Sequence, residues 1–181
     1  MTQVTVRSTP TDTVAPGPTS DALVSALLTE VMQLGADLEV GGVLDRVTAA
    51  AARLTGAEYA ALGVLAPDGS LSRFHTHGMP EDDQQAIGHH PQGLGVLGVL
   101  ITDPQPLRLS NIGDHTRSVG FPTHHPAMTT FLGVPIQIGG QVYGNLYLTN
   151  KPEPFTDADE RVVVSLAAAA GTAIDNARRY A

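Results

Sequence analysis

Residues 119–148 hold the side chains best placed for chemistry. Two histidines, His124 and His125, sit in a loop with Pro122 and Pro126, and the chain then runs through Met128 into two strand-like segments, Thr130–Ile138 and Gln141–Thr149, around Gly139-Gly140. Neutral imidazole is a good iron ligand. Proline on either side restricts the loop, so little entropy is lost in orienting His125. Strict alternation along the second strand puts Tyr143, Asn145 and Tyr147 on one face and Val142, Gly144, Leu146 and Leu148 on the other. The aliphatic face suits packing under helices, and the aromatic and polar face suits a pocket. An imidazole above a sheet with a tyrosine across from it can hold a flat metal-bearing cofactor. By residue type alone, the commoner fate of such histidines is a solvated loop, and Tyr147 also fits an ordinary sheet position.

The other histidines make weaker cases. His75, His77, His89 and His90 come without cysteine or suitably spaced carboxylates, so they read as exposed residues, with His75 and His77 near the rim of the pocket. Gly93-Leu94-Gly95 lacks the strand–glycine–helix context of a dinucleotide site.

Composition removes whole classes of function. The chain has no cysteine, which excludes disulfides, thiolate metal sites, thioether-linked haem and cysteine nucleophiles. A net charge of −8 with no basic run argues against nucleic acid and anionic membranes. There is no apolar run long enough to span a bilayer and no secretory signal, so a cytoplasmic protein is expected. The 181 residues fit one domain plus a tail.

The elements that must position the loop are legible. Residues 1–19, rich in Thr, Ser and Pro, read as a disordered tail, and 20–181 as one domain. Leu23, Val24, Leu27, Leu28, Val31 and Leu34 recur at helical spacing, with Gly35 as a stop. A second helix is expected over Val40–Leu54, ended by Gly56. Glu58–Leu65 and Leu71–Thr76 form a hairpin around Pro67-Asp68-Gly69. A short helix over Pro80–Gly88, a buried one over Leu94–Ile101 and a strand at Leu107–Leu109 follow. Ser110–Met128 is irregular and long, as functional loops are. After the second hairpin, Thr156 and Asp159 form a capping box for a last helix, whose Ala167–Ala173 stretch is a close-packing face. Hairpins between terminal helices predict an α+β domain, with an antiparallel sheet, terminal helices on one face and a ligand pocket on the other.

The run Leu27–Tyr180 resembles a GAF domain. The marks are Phe131-Leu132-Gly133-Val134-Pro135, Gly144-Asn145-Leu146-Tyr147-Leu148, and Phe155-Thr156-Asp157-Ala158-Asp159-Glu160. Three further motifs are Asp103-Pro104-Gln105-Pro106-Leu107-Arg108-Leu109, Ser118–Pro122 and His125-Pro126-Ala127-Met128. They are similar to the first, haem-binding GAF domain of actinobacterial dormancy-sensor histidine kinases (the DevS/DosT type). Ala127 stands where that pattern usually has a second proline, which loosens the loop and leaves the ligand in place.

The resemblance implies non-covalent haem b ligated by His125, with Tyr147 on the distal side and Met128, Phe131, Leu97 and Ile101 around the cofactor. It implies a sensor of oxygen, nitric oxide, carbon monoxide or redox state, homodimeric, that passes its signal through the terminal helices. The output would be a histidine kinase module in cis, with this chain its N-terminal piece, or another signalling protein in trans. The alternative is a GAF module that binds another small molecule such as a cyclic nucleotide, or one that only dimerises. Enzymatic activity is not expected: the catalytic relatives of this size reduce free methionine sulfoxide with cysteines, which this chain lacks.

Overall fold

A computed structural model describes residues 20–34, 39–82, 85, 93–121, 123 and 125–180. The expected tail, the Gly35 stop, most of the short helix after Pro80, His89, His90, Pro122 and His124 lie outside the described residues.

Among the described residues, four α-helices and five strands follow in chain order: α1 (Ser20–Leu34), α2 (Val40–Thr55), β1 (Tyr59–Leu65), β2 (Leu71–His77), α3 (Gly95–Thr102), β3 (Leu107–Leu109), β4 (Phe131–Ile138), β5 (Gln141–Thr149) and α4 (Asp157–Tyr180). The strands make one antiparallel sheet in the order β2-β1-β5-β4-β3. The longest strand, β5, is therefore central, paired to β1 on one side and β4 on the other.

Local chemistry sets the ends of the elements. Gly56 closes α2 at φ 74°, a left-handed position that costs glycine nothing. At the start of α4, the Asp159 amide donates to Thr156 Oγ1 at 3.2 Å and the Thr156 amide donates to Asp159 Oδ2 at 2.7 Å, the reciprocal capping box that the sequence predicts.

One face of the sheet carries the main core. Leu62, Val64, Leu132, Val134, Ile136, Leu146 and Leu148 point to it and meet Val43, Leu44 and Val47 of α2 and Val163, Leu166, Ala170 and Ile174 of α4. Helix α4 lies very close to β4: a Cβ on Gly171 would fall 2.2 Å from the Gln137 carbonyl oxygen. The small-residue stretch thus packs against the sheet of the same chain. Helix α1 packs against α2 and α4 through Leu27 and Val31. Its Val24 and Leu28, two of the apolar residues that recur at helical spacing, are 54% and 59% exposed. They lie one residue, about 100° of helix turn, away from the side that packs.

Two expectations about faces are corrected. Tyr143 was placed beside Asn145 and Tyr147, but it packs with the helix-side core, where Arg178 of α4 lies 5.8 Å from its ring centroid. The pairing of β4 with β5 slips between Ile136 and Gln137, which leaves Tyr143 as an extra residue on β5, and a bulge of one residue reverses the alternation. His75 was read as exposed at the pocket rim, but it is half-buried on the helix side, with Nδ1 2.7 Å from Asp45 Oδ1 of α2. Its partner in β1 is Leu62, itself a core residue, so the pleat turns His75 toward α2.

Candidate functional site

The opposite face of the sheet carries a second, smaller cluster. Tyr147 and Phe131 are buried there with Val96 and Leu100 of α3 and Ile112, and Met128, Leu97, Phe74, Leu107 and Leu109 pack against them. Tyr147 lies between two other aromatic rings, with centroids 6.2 Å from Phe131 and 6.4 Å from Phe74, both within the range over which aromatic rings interact. Small residues flank it in the sheet: Tyr147 pairs with Gly133 and Ala61, and Asn145 with Gly63 and Pro135. A Cβ on Gly133 would lie 2.8 Å from Leu100 Cδ1, so α3 rests directly on this floor.

Of the predicted site residues, Tyr147, Phe131, Met128 and Leu97 come together in this cluster. Ile101 is outside it; its Cδ1 closes on Gly93, beside Leu71. His125 stands in the loop three residues before Met128. Its ring stacks on Phe121 with centroids 4.9 Å apart, and its Nδ1 lies 2.8 Å from the Pro126 carbonyl oxygen. A carbonyl only accepts, so Nδ1 carries the proton, and in the neutral ring the lone pair is left on Nε2. This is the tautomer that a metal-ligating histidine uses when its other nitrogen is held by a carbonyl.

The loop is fastened beside the cluster by a residue that sequence reasoning missed. Asn150, just past β5, accepts from the Thr129 amide at 2.9 Å and donates to the Ala127 carbonyl at 3.0 Å. It has a φ of 57°, the one positive value among the described non-glycine residues. Asparagine tolerates that conformation better than most residues. Thr149 adds a contact from its hydroxyl to Met128 Sδ at 3.4 Å.

Electrostatically this face is largely apolar, and two of its buried polar side chains go unmet. Asn145 is 0% and Tyr147 3% exposed, and Asn145 Nδ2, Asn145 Oδ1 and Tyr147 Oη are the buried side-chain polar atoms that lack a partner among the described residues. Burial pushes the Tyr147 phenol up to about 12, with the nearby Asn145 side chain pulling weakly the other way. The two side chains are close enough to feel each other, yet no hydrogen bond joins them. Tyr147 is therefore a neutral donor at any physiological pH. Asn145 had a signal that could have flagged it: asparagine is depleted in strands, and here it occupies the centre of the longest one.

These residues fit the cofactor that the loop motif implies. An imidazole with a free Nε2, an aromatic and aliphatic lining and a buried hydroxyl donor are what haem ligation needs. No cluster of three or more His, Cys, Asp or Glu suited to a bare metal ion occurs among the described residues.

An antiparallel sheet with helices packed on one side and a small ligand-type cluster on the other defines a small-molecule sensing or signalling module. The family description of the GAF domain matches residues 37–175, and the chain belongs to that family. Solved structures share the fold. The GAF domain of a phosphoenolpyruvate-protein phosphotransferase from Coxiella burnetii aligns with TM-score 0.77 at 20% identity, over 90% of this chain and 98% of that one. The corresponding Acinetobacter domain aligns with TM-score 0.74 at 21% identity, over 88% and 96%. The free methionine-R-sulfoxide reductase of Neisseria meningitidis, solved with its substrate, aligns with TM-score 0.75 at 12% identity, over 92% and 96%. At these identities the likeness is one of fold. No described helix is long and apolar enough to cross a membrane.

Proposed function

We propose that this GAF domain is a haem b-binding sensor of a diatomic gas (oxygen, nitric oxide or carbon monoxide) or of redox state. The observation that carries the reading is the His125 ring, whose Nδ1–H is committed to the Pro126 carbonyl, leaving Nε2 as the ligating atom. Bound haem would supply the gas-binding iron and its redox couple. The protein's own residues do the rest. Asn150 and Pro126 hold the His125 loop, Phe121 stacks on the imidazole, and Phe131, Met128 and Leu97 exclude water. Tyr147 offers its hydroxyl as a buried donor to the ligand.

Without cysteine the cofactor is held non-covalently, and no thiolate exists for catalysis, so the module senses and does not turn over substrate. The signal leaves through α1 and α4, which pack against each other, to a histidine kinase module in cis or a signalling protein in trans, in the cytoplasm. Val24 and Leu28, exposed on α1, give a homodimer an apolar seam.

The test is haem reconstitution followed by visible spectroscopy. Wild type is expected to show the Soret and ferrous bands of a histidine-ligated haem, and His125→Ala to lose them. A variant with the wild-type spectrum would remove His125 as the ligand.

A second reading has one observation in its favour. Asn145 Oδ1 is a buried acceptor that a diatomic gas, having no hydrogen, cannot satisfy. An organic ligand with an N–H, such as a cyclic nucleotide, could. Haem-free protein whose melting temperature rises with cyclic nucleotide, and which ignores haem, would favour it.

A further inference from the structure

Among the described residues, buried polar side chains other than Asn145 and Tyr147 are met. Thr48 and Thr55 donate to the carbonyls of Leu44 and Ala51, at 2.7 and 2.8 Å. Thr130 accepts from the Lys151 amide at 2.9 Å, and Asp159 accepts from Lys151 and Thr156. Against that background the amide of Asn145 stands out. It sits at the middle of the central strand with 0% exposure, and neither its nitrogen nor its oxygen has a partner among the described residues. A leucine, with the same branched side-chain shape though a larger volume, would take the same place without an unpaired donor or acceptor, and unpaired buried groups are costly. Tyr147, two residues on and so on the same pleat, leaves its hydroxyl unmet as well. Their sheet neighbours Gly63 and Gly133 let Leu71 and Leu100 close over the sheet beside them, so the setting of both is apolar. Three polar atoms without a partner, close together in an apolar setting, mark where a ligand's polar end belongs.

We propose that Asn145 is a specificity-determining residue of the ligand site, donating through its side-chain N–H groups to the same acceptor end of the bound ligand that Tyr147 meets. This rests on the reading that the ligand binds on this face of the sheet. Two donors on one atom reward a ligand whose bound form carries negative charge, and do little for one that stays nearly neutral. For a gas ligand the pair therefore selects oxygen over carbon monoxide, and Asn145 contributes to that choice separately from Tyr147.

Asn145→Leu and Asn145→Ser test this in two states of the protein. In the haem-free state, Asn145→Leu should melt at the wild-type temperature or up to about 6 °C above it, because an unpaired amide has been replaced by packing. A drop of more than about 5 °C in both variants would make the amide a structural element and overturn the proposal. In the haem-loaded state, the ratio of oxygen to carbon monoxide affinity should fall about tenfold in Asn145→Leu and recover in part in Asn145→Ser, which keeps a donor. A ratio unchanged in Asn145→Leu would also overturn it. Wild-type protein that takes up no haem would refute the haem assignment alone. The haem-free melting comparison would then still decide whether the amide serves the fold or a ligand.

Discussion

Asn150 makes a prediction that runs from one side chain to the whole site. Its amide ties Ala127 and Thr129, the residues just past His125-Pro126, to the end of the central strand. Two of its bonds are short, 2.9 Å to the Thr129 amide and 3.0 Å to the Ala127 carbonyl. Two more are long, 3.3 Å to Glu58 and 3.4 Å to the Thr129 hydroxyl, and add little. At about 1 kcal/mol for each short bond, Asn150→Gly should cost about 2 kcal/mol. Asn150→Ala loses the same bonds and must also adopt a φ of 57°, which costs a Cβ-bearing residue about 1 kcal/mol more. For a domain of this size these figures correspond to melting temperatures lower by roughly 4–8 °C for glycine and roughly 6–12 °C for alanine. Urea unfolding of both variants gives the magnitudes, and hydrogen exchange at the Thr129 amide gives the location. Haem uptake should weaken in step, because the loop that aims His125 has lost its tie. A glycine variant within about 0.5 kcal/mol of wild type, with Thr129 still protected, would refute the assignment of Asn150 as the fastener of the loop.

Two further perturbations probe the scaffold. Gly171→Ala should destabilise by about 1–3 kcal/mol despite the better helix propensity of alanine, since the new Cβ meets the backbone oxygen of Gln137 at 2.2 Å, whereas Gly41→Ala in α2, with open space around it, should be neutral or stabilising by up to about 1 kcal/mol; thermal melts of the pair check the sign. Burial raises the Asp159 carboxyl, but Lys151 and Thr156 outweigh it and hold the group below the ordinary aspartate value. A carboxyl depressed in the folded state contributes stability above its unfolded value and loses it as pH falls through the folded value, so the wild type should lose stability in acid more steeply than Asp159→Asn, as acid titrations followed by circular dichroism would read.

Much of this protein was legible in its sequence because the signals were local. The ends of α2 and α4 follow from Gly56 and from the Thr156–Asp159 box, each within a few residues of the chain. The positions of both hairpins follow from turn chemistry at Pro67-Asp68-Gly69 and Gly139-Gly140. The apolar face of β5 from Gly144 to Leu148 follows from the two-residue pleat, and so does the place of Tyr147 on the ligand side. The prolines around His125 and its motif single it out by the same local logic.

Tertiary structure decided what depends on distant partners. Alternation could not foresee the slip that leaves Tyr143 unpaired and sends it to the helix side, because a bulge is a property of two strands together. Nothing near His75 in the chain announces Asp45, which meets it from α2 across 30 residues. Asn150 reads as an ordinary strand-end polar residue until the loop 21–23 residues before it folds onto its amide. The periodicity of β5 places Asn145 on the face of Tyr147, but only the packed sheet shows that its amide is sealed from water with no partner among the described residues. Pattern along a chain reports which way a side chain points, and the assembled fold determines what it meets there.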